Sequence, residues 1–100
     1  MKNNKPMYVG YFQFDVDDPI YTDHFPGYPV VPGSMIIDAF VTVVESIVKN
    51  QRAAGVENFR FKRFISPGCY AYRVIMEAEE KLNCALYHCH HAVVTGCVIV

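Results

Sequence analysis

A histidine and an aspartate bracket the most unusual stretch of this sequence. His24 opens a segment rich in proline and glycine, and Asp38 follows it fourteen positions later. Between them, residues 26–33 contain three prolines and two glycines, which together specify a stiff loop. The loop runs into an apolar, helix-forming segment, and a helix start carries unpaired backbone N–H groups that can hold an anion. These residue types at this spacing predict an acid–base pair around a backbone anion cradle.

The segments on either side of the loop must position these groups. Met7 to Val16 alternates apolar and polar residues, which predicts a half-buried strand. An irregular excursion from Asp17 to Gly33 is expected next, and then a helix from Ser34 to Asn50 with Ser34 as its N-cap. Apolar residues cover most of this helix, so it must be wrapped on several sides, while Glu45 lies on a narrow solvated stripe. Three helix residues are expected in the core: Phe40, Val44 and Ile47.

The second half of the chain is predicted to form consecutive strands. They run from Val56 to Ile65, from Tyr70 to Ala78 and from Leu82 to Val94. Cys97–Val100 is either a last short strand or a continuation of the one before it. Consecutive strands with short turns pair as an antiparallel meander, which must bury the apolar helix. The sequence therefore predicts one α+β domain of about five antiparallel strands wrapped around a long central helix.

Composition narrows the classes of function. The 100 residues are 52% hydrophobic and 19% charged, and this apolar surplus in a small domain predicts burial against another subunit. A formal net charge of −1 gives no general attraction to nucleic acid or to an anionic membrane. No apolar run is long enough to span a bilayer, and no signal peptide is evident. The four cysteines lack zinc-site spacing, which favours free thiols in a reducing cytoplasm.

The loop also resembles a known family. The segment from His24 to Gly33, His-Phe-Pro-Gly-x-Pro-x-x-Pro-Gly, with the acid Asp38 after it, is similar to the active-site segment of hot-dog-fold 3-hydroxyacyl-(acyl carrier protein) dehydratases, the FabZ/FabA-like enzymes. Arg60–Gly68 resembles the strand and turn that follow the central helix in that family. The resemblance extends from about Asp17 to the C-terminus. The resemblance implies the hot-dog fold. This chain differs from the family in lacking the usual extra N-terminal strand region.

The resemblance implies a reaction and a role for several residues. The reaction removes water from 3-hydroxyacyl thioesters to give trans-2-enoyl thioesters and uses no cofactor. By resemblance, His24 is the base, the Gly33 amide stabilises the oxyanion, and Asp38 holds or protonates the leaving hydroxyl. The acid is usually Glu in the dehydratase-only branch and Asp in the branch that also isomerises the double bond. Three neighbouring residues are expected to bind the substrate: Phe25, Pro32 and Ser34.

The resemblance also implies partners. In this family, one site takes its histidine and its acid from different subunits, so a homodimer with shared sites is expected, with a larger oligomer left open. The acyl chain arrives on acyl carrier protein, which is strongly acidic. A basic cluster of Arg60, Lys62 and Arg63 is therefore either a docking patch for the carrier protein or an ordinary solvated strand face.

Several alternatives remain open. Outside its motif, His24 would more often be a structural hydrogen-bonding residue, and Asp38 is already favoured near the positive end of a helix dipole. The chain could be a non-catalytic acyl or carrier-protein binding subunit, or a hot-dog thioesterase. The residue types of the run His88-Cys89-His90-His91 are common metal ligands. Alternation along one strand would send their side chains to opposite faces, so no metal site is predicted.

Overall fold

The computed structural model describes residues 5–23, 27, 29–49 and 51–100, with the backbone only at residues 22 and 23. In chain order the elements are strand β1 (Met7–Phe14), short helix α1 (Ile20–Asp23), long helix α2 (Gly33–Ile47), and strands β2 (Gly55–Phe61), β3 (Gly68–Ala78), β4 (Lys81–His88) and β5 (His91–Ile99). The five strands form an antiparallel sheet in the order β1-β3-β4-β5-β2. Strands β1 and β2 therefore occupy opposite edges.

Helix α2 packs on one face of this sheet, which is called the inner face below. Its buried residues Ile36, Phe40 and Val44 recur every four positions and form one stripe along the helix. The sheet contributes alternate side chains from its inner strands, as expected for a half-buried antiparallel sheet. The fully buried ones are Val74, Leu82, Leu86, Val94 and Val98. This is the α+β hot-dog arrangement that the sequence predicts.

Phe40 lies at the centre of the core. Its side chain is fully buried, and its ring centroid lies 5.0 Å from that of Phe12, 6.1 Å from that of Phe59 and 6.2 Å from that of Tyr72. The core positions predicted for Phe40 and Val44 are confirmed. Ile47 is only partly buried and packs against the edge of the core.

The helix is shorter than predicted, and it starts differently. It begins at Gly33 with Pro32 as its N-cap, while Ser34 is an exposed residue of the first turn, so the predicted Ser34 cap is wrong. Proline fits this position because its fixed φ suits the extended backbone that precedes a helix. The helix ends at Ile47, three residues before the predicted Asn50.

The end of α2 gives Glu45 a structural role that its position on the polar stripe does not suggest. Its carboxylate accepts a hydrogen bond from the Ala53 N–H at 2.8 Å. The bond ties the last turn of the helix to the connection that leads into β2. Glu45 is therefore half-buried rather than simply solvated.

The predicted Leu82–Val94 strand is wrong, because the chain reverses in the middle of it. Strands β4 and β5 are joined by a two-residue turn at Cys89 and His90, which have φ values of 51° and 68°. Both residues have the left-handed backbone conformation that a two-residue type I′ hairpin turn requires. His88 pairs directly with His91, so these two histidines lie on the same side of the sheet. Thr95 and Gly96 lie within β5, so the last strand runs on without a break to Ile99.

Two other segments differ from prediction. The expected irregular excursion contains α1, whose start is held by the Asp18 carboxylate accepting the Ile20 N–H at 3.0 Å. Strand β2 ends at Phe61 instead of Ile65. Beyond that point the chain leaves the sheet, and the Ile65 carbonyl accepts a hydrogen bond from the Val31 N–H at 2.9 Å. This bond joins the segment after β2 to the loop before α2.

Gly96 lies where a side chain would collide with the core. A Cβ built at this position would collide with the ring of Phe59, far inside van der Waals contact. We expect Gly96→Ala to lower the free energy of unfolding by about 1–3 kcal/mol, the usual cost of overpacking a core. Urea denaturation measures this loss. Gly55→Ala is the matched control, because a Cβ there meets nothing within 4 Å. Equal stability losses in the two variants would contradict the packing at Gly96.

Candidate active site

The anion cradle is predicted at the N-terminal end of α2. Gly33 is the first helical residue, and the N–H groups of Met35 and Ile36 already donate to the Pro32 carbonyl at 3.0 and 3.3 Å. The N–H groups that precede these two, those of Gly33 and Ser34, have no acceptor within the helix itself, as is general for the start of a helix. They also lie at the positive end of the helix dipole, which favours negative charge. The Gly33 amide therefore has the position and polarity of an oxyanion donor.

An apolar cavity of about 280 Å³ opens at this helix start. Pro32, Gly33 and Ile36 line one side of it, and Phe61 and Phe64 line another. A Cβ at position 33 would lie only 3.1 Å from Cζ of Phe61, so the missing side chain lets this ring lie against the first turn. A small, mostly apolar cavity beside a backbone donor suits a ligand with a hydrocarbon part and a carbonyl group.

Asp38 lies in a different place on the helix. It follows Gly33 by five residues, which corresponds to about 140° around the helix axis. Its exposed side chain borders a cleft of about 360 Å³ that is also lined by Phe14, Asp15 and Asp18. Within one chain, the structure thus brings Gly33 and Pro32 to one cavity and places Asp38 in another. Ser34 is exposed and lines neither of them.

The segment that leads into His24 is anchored by a buried tyrosine. The Tyr21 hydroxyl lies 4.0 Å from Sδ of Met35 on α2, which fixes the short helix against the long one. Burial raises the pKa of Tyr21 above its ordinary value, and the nearby carboxylates of Asp18 and Asp15 raise it further. The phenol therefore stays neutral near pH 7. The sequence marks Tyr21 only as an aromatic residue in an unusual loop.

The predicted base and one predicted substrate-binding residue, His24 and Phe25, lie outside the described residues. Their roles remain predictions. The structure describes the backbone up to Asp23, the residue that precedes this motif in the sequence.

The three basic residues do not share one surface. Arg63 lines the apolar cavity at the helix start, whereas Arg60 lines a separate basin on the opposite, outer face of the sheet. Lys62 lies between them in the sequence and has an exposed side chain. Its backbone N–H donates to the Val93 carbonyl at 2.8 Å. Of the three, Arg63 is the one beside the candidate site.

Metal and membrane features can be assessed for the described part of the chain. There, no three histidine, cysteine or acidic side chains are arranged to hold a metal ion. The ring of His88 instead lies 5.6 Å from that of Tyr70, centroid to centroid. Among the described residues, neither helix combines the length and hydropathy that a membrane span requires.

Comparison with known families decides the relationship. The family model named ApeI-like, described as ApeI dehydratase, matches residues 1–97. The chain belongs to the ApeI-like dehydratase family. This confirms the resemblance to the FabZ/FabA-like hot-dog dehydratases that the His24–Asp38 motif suggests.

Relatives of this ApeI-like chain include enzymes named 3-hydroxyacyl-[acyl-carrier-protein] dehydratase FabZ. The protein from Herpetosiphon aurantiacus is 37% identical over 68 residues, which cover 60% of this chain and 48% of the relative. The protein from Agrobacterium fabrum is 28% identical over 99 residues, which cover 91% of this chain and 64% of the relative. The chain thus spans about half to two thirds of the length of these relatives.

Two solved structures share the fold. A chain of the dehydratase heterocomplex ApeI:P from Xenorhabdus doucetiae superposes with a TM-score of 0.73 at 16% identity, covering 99% of this chain and 97% of that one. An uncharacterized protein from Erwinia carotovora subsp. atroseptica gives a TM-score of 0.76 at 18% identity, with 99% and 86% covered. At these identities the similarity concerns the fold alone.

Proposed function

We propose that this ApeI-like protein is a dehydratase that removes water from 3-hydroxyacyl thioesters carried on acyl carrier protein. The observation that carries the proposal is the apolar cavity at the start of α2, where Gly33, the last residue of the motif that begins at His24, lies against Phe61. The cavity would hold the acyl chain, and the helix start would face the thioester carbonyl. The product would be the trans-2-enoyl thioester of fatty-acid or related acyl-chain synthesis.

The chemistry follows from what each group can do. His24 takes the proton from the carbon next to the thioester carbonyl, and charge builds on the carbonyl oxygen. The Gly33 amide donates to that oxygen without reorganising, which is the most effective way to stabilise an oxyanion. The carbon–oxygen bond at C3 then breaks, and Asp38 supplies the proton, directly or through water, so that hydroxide leaves as water. Each step is a proton transfer or an elimination, so no cofactor is required.

A homodimer with shared sites accounts for the separation of Gly33 from Asp38. In one chain these residues line different cavities, so a complete site needs Asp38 from a second copy. Large apolar side chains are exposed along β2 and the segment after it: Val56 at 42%, Phe61 at 41% and Phe64 at 82%. An edge strand with exposed apolar residues is a surface suited to pairing with another chain. Strand β1, at the other edge, also exposes apolar residues such as Val9 and Tyr11. We assign the β2 edge to the dimer interface because Phe61 and Phe64 also line the cavity at the helix start.

The carrier protein and the compartment complete the proposal. Arg63 lines the otherwise apolar cavity, where a guanidinium can attract an acidic carrier protein toward the acyl entrance. The four unpaired cysteine thiols suit a reducing cytoplasm, in which we place the enzyme.

Hydration of a trans-2-enoyl thioester, the reverse reaction, tests the proposal directly. The purified protein should convert a trans-2-enoyl thioester to the 3-hydroxyacyl thioester, measured as loss of the enoyl absorbance. Release of free thiol, followed in parallel, reports thioesterase activity. Thiol release without hydration would replace the dehydratase proposal with the thioesterase alternative. The absence of both reactions would remove the proposal for the chain acting alone.

A second candidate function is a non-catalytic subunit of a heteromeric dehydratase. One observation favours it: the structure from Xenorhabdus doucetiae with the same fold is described as a dehydratase heterocomplex. In that case the chain alone would bind an acyl carrier protein without hydrating an enoyl thioester. Binding of an acyl carrier protein, measured in the same preparation that is tested for hydration, separates the two functions.

A further inference from the structure

The outer face of the sheet carries a row of four side chains on four adjacent strands. The strand register pairs Arg73 on β3 with Ala85 on β4, Ala85 with Thr95 on β5, and Thr95 with Arg60 on β2. Residues paired in this way project from the same face of a sheet. Two arginines thus stand at the ends of the row, with two small side chains between them.

The small residues leave a basin between the arginines. Adjacent strands lie about 4.8 Å apart, so the ends of the row are roughly 14 Å apart. Long guanidinium side chains can reach toward each other over Ala85 and Thr95. The basin between them has a volume of about 500 Å³ and is also bordered by the amide side chains of Asn58 and Asn83. Of the described residues that line it, none is acidic.

The charges around the basin leave the arginines in excess. Glu57 is paired with Lys81 at 3.4 Å, and Glu77 is paired with Lys5. Each neighbouring carboxylate therefore already has a lysine partner. Among the described residues, neither Arg60 nor Arg73 has an ion-pair partner.

Several contacts hold the lining in place. The guanidinium carbon of Arg73 lies 5.3 Å from the centroid of the Tyr87 ring, a cation–π contact that limits its motion. The Asn83 side-chain oxygen accepts the Cys97 thiol at 3.0 Å. Asn58 has a φ of 58° at the bulge where the pairing of β2 with β5 shifts register. A bulge re-aims the side chains beside it, and Arg60 is the next residue to pair after this one.

We propose that this basin binds the phosphate group of a small molecule, either inorganic phosphate or a phosphate monoester. The planar guanidinium of arginine donates in parallel pairs to phosphate oxygens, and two such groups facing each other can hold one dianion. The concave shape suits a small ligand. The basin lies on the opposite face of the sheet from α2, so it does not depend on the proposed dehydratase activity.

Titration of the ¹⁵N-labelled full chain tests the site. Inorganic phosphate, glycerol phosphate and acetate are added at constant ionic strength, because screening alone shifts exposed charges. The two phosphate ligands should move the amide signals of Ala85 and Thr95 saturably, whereas acetate should move them little. Tighter saturation by glycerol phosphate identifies a monoester site, and tighter saturation by inorganic phosphate identifies a free-phosphate site.

Arginine variants assign the binding to the basin. Arg60→Ala and Arg73→Ala should each weaken phosphate binding about tenfold, the effect expected for losing a charged hydrogen-bond donor. Arg52→Ala removes the same charge outside the basin and should leave the affinity unchanged. The dispersed amide spectrum of each variant shows that it is folded. Non-saturating shifts, or equal weakening by Arg52→Ala, would overturn the proposal.

Discussion

His24→Ala and Asp38→Asn should each lower enoyl thioester hydration by about 10²–10⁴-fold, the usual contribution of a positioned proton-transfer group. Asp38 is exposed on the second turn of α2, so replacing its carboxylate by an amide should leave the fold intact. Steady-state hydration rates measure the loss. Asp17→Asn is the matched control, because Asp17 is an exposed acid that does not line the Asp38 cleft.

Mixing the two inactive variants tests whether the site is shared. If His24 of one subunit works with Asp38 of the other, each mixed dimer contains one site with both groups intact. Random mixing makes about half of the dimers mixed, so about a quarter of wild-type activity should return. Subunit exchange is verified with differently tagged chains. Exchange without recovered activity would refute the shared site, and full activity in both single variants would refute the dehydratase itself.

Much of the fold was predictable because its signals are local and periodic. The alternation in β1 and β3 and the apolar helix around Phe40 and Val44 predict the elements, and their order predicts the wrapped sheet. The Cys89–His90 turn is not predictable from the sequence, because its two residues with positive φ are not the Asn or Gly that usually mark such turns. The end of α2 is not predictable from the apolar pattern, because that pattern continues past Ile47 while the backbone leaves helical geometry at Val48, with φ −98° and ψ 85°.

The candidate site was predictable only in part. The proline and glycine spacing predicts a helix directly after Gly33. The structure confirms the helix, but it begins at Gly33 itself, with Pro32 instead of Ser34 as the N-cap. The contact between Gly33 and Phe61 joins residues 28 positions apart, so it depends on tertiary packing that local patterns do not encode. The separation of Arg60 from Arg63 has the same origin, because β2 ends between them at Phe61. Local sequence signals thus predict a helix start near Gly33 but not the cavity beside it.

Phe40→Ala should produce the largest loss of stability of any substitution considered for this chain. Removing a fully buried phenylalanine typically costs about 3–5 kcal/mol, since both the transfer free energy and the cavity left behind count. Here the ring also meets three other aromatic rings, those of Phe12, Phe59 and Tyr72, each of which loses a partner. Domains of this size are stable by only about 5–15 kcal/mol in total. The variant should therefore be close to unfolding.

Urea denaturation followed by circular dichroism and by tyrosine fluorescence measures this loss, and the chain has no tryptophan to obscure the fluorescence. Ser46→Ala on the exposed side of the same helix is the control and should stay within about 0.5 kcal/mol of the wild type. Phe40→Leu should lose less than Phe40→Ala, because leucine fills more of the cavity. If Phe40→Ala costs no more than Ser46→Ala, α2 does not pack on the sheet through Phe40, and the placement of Gly33 at the candidate site fails with it.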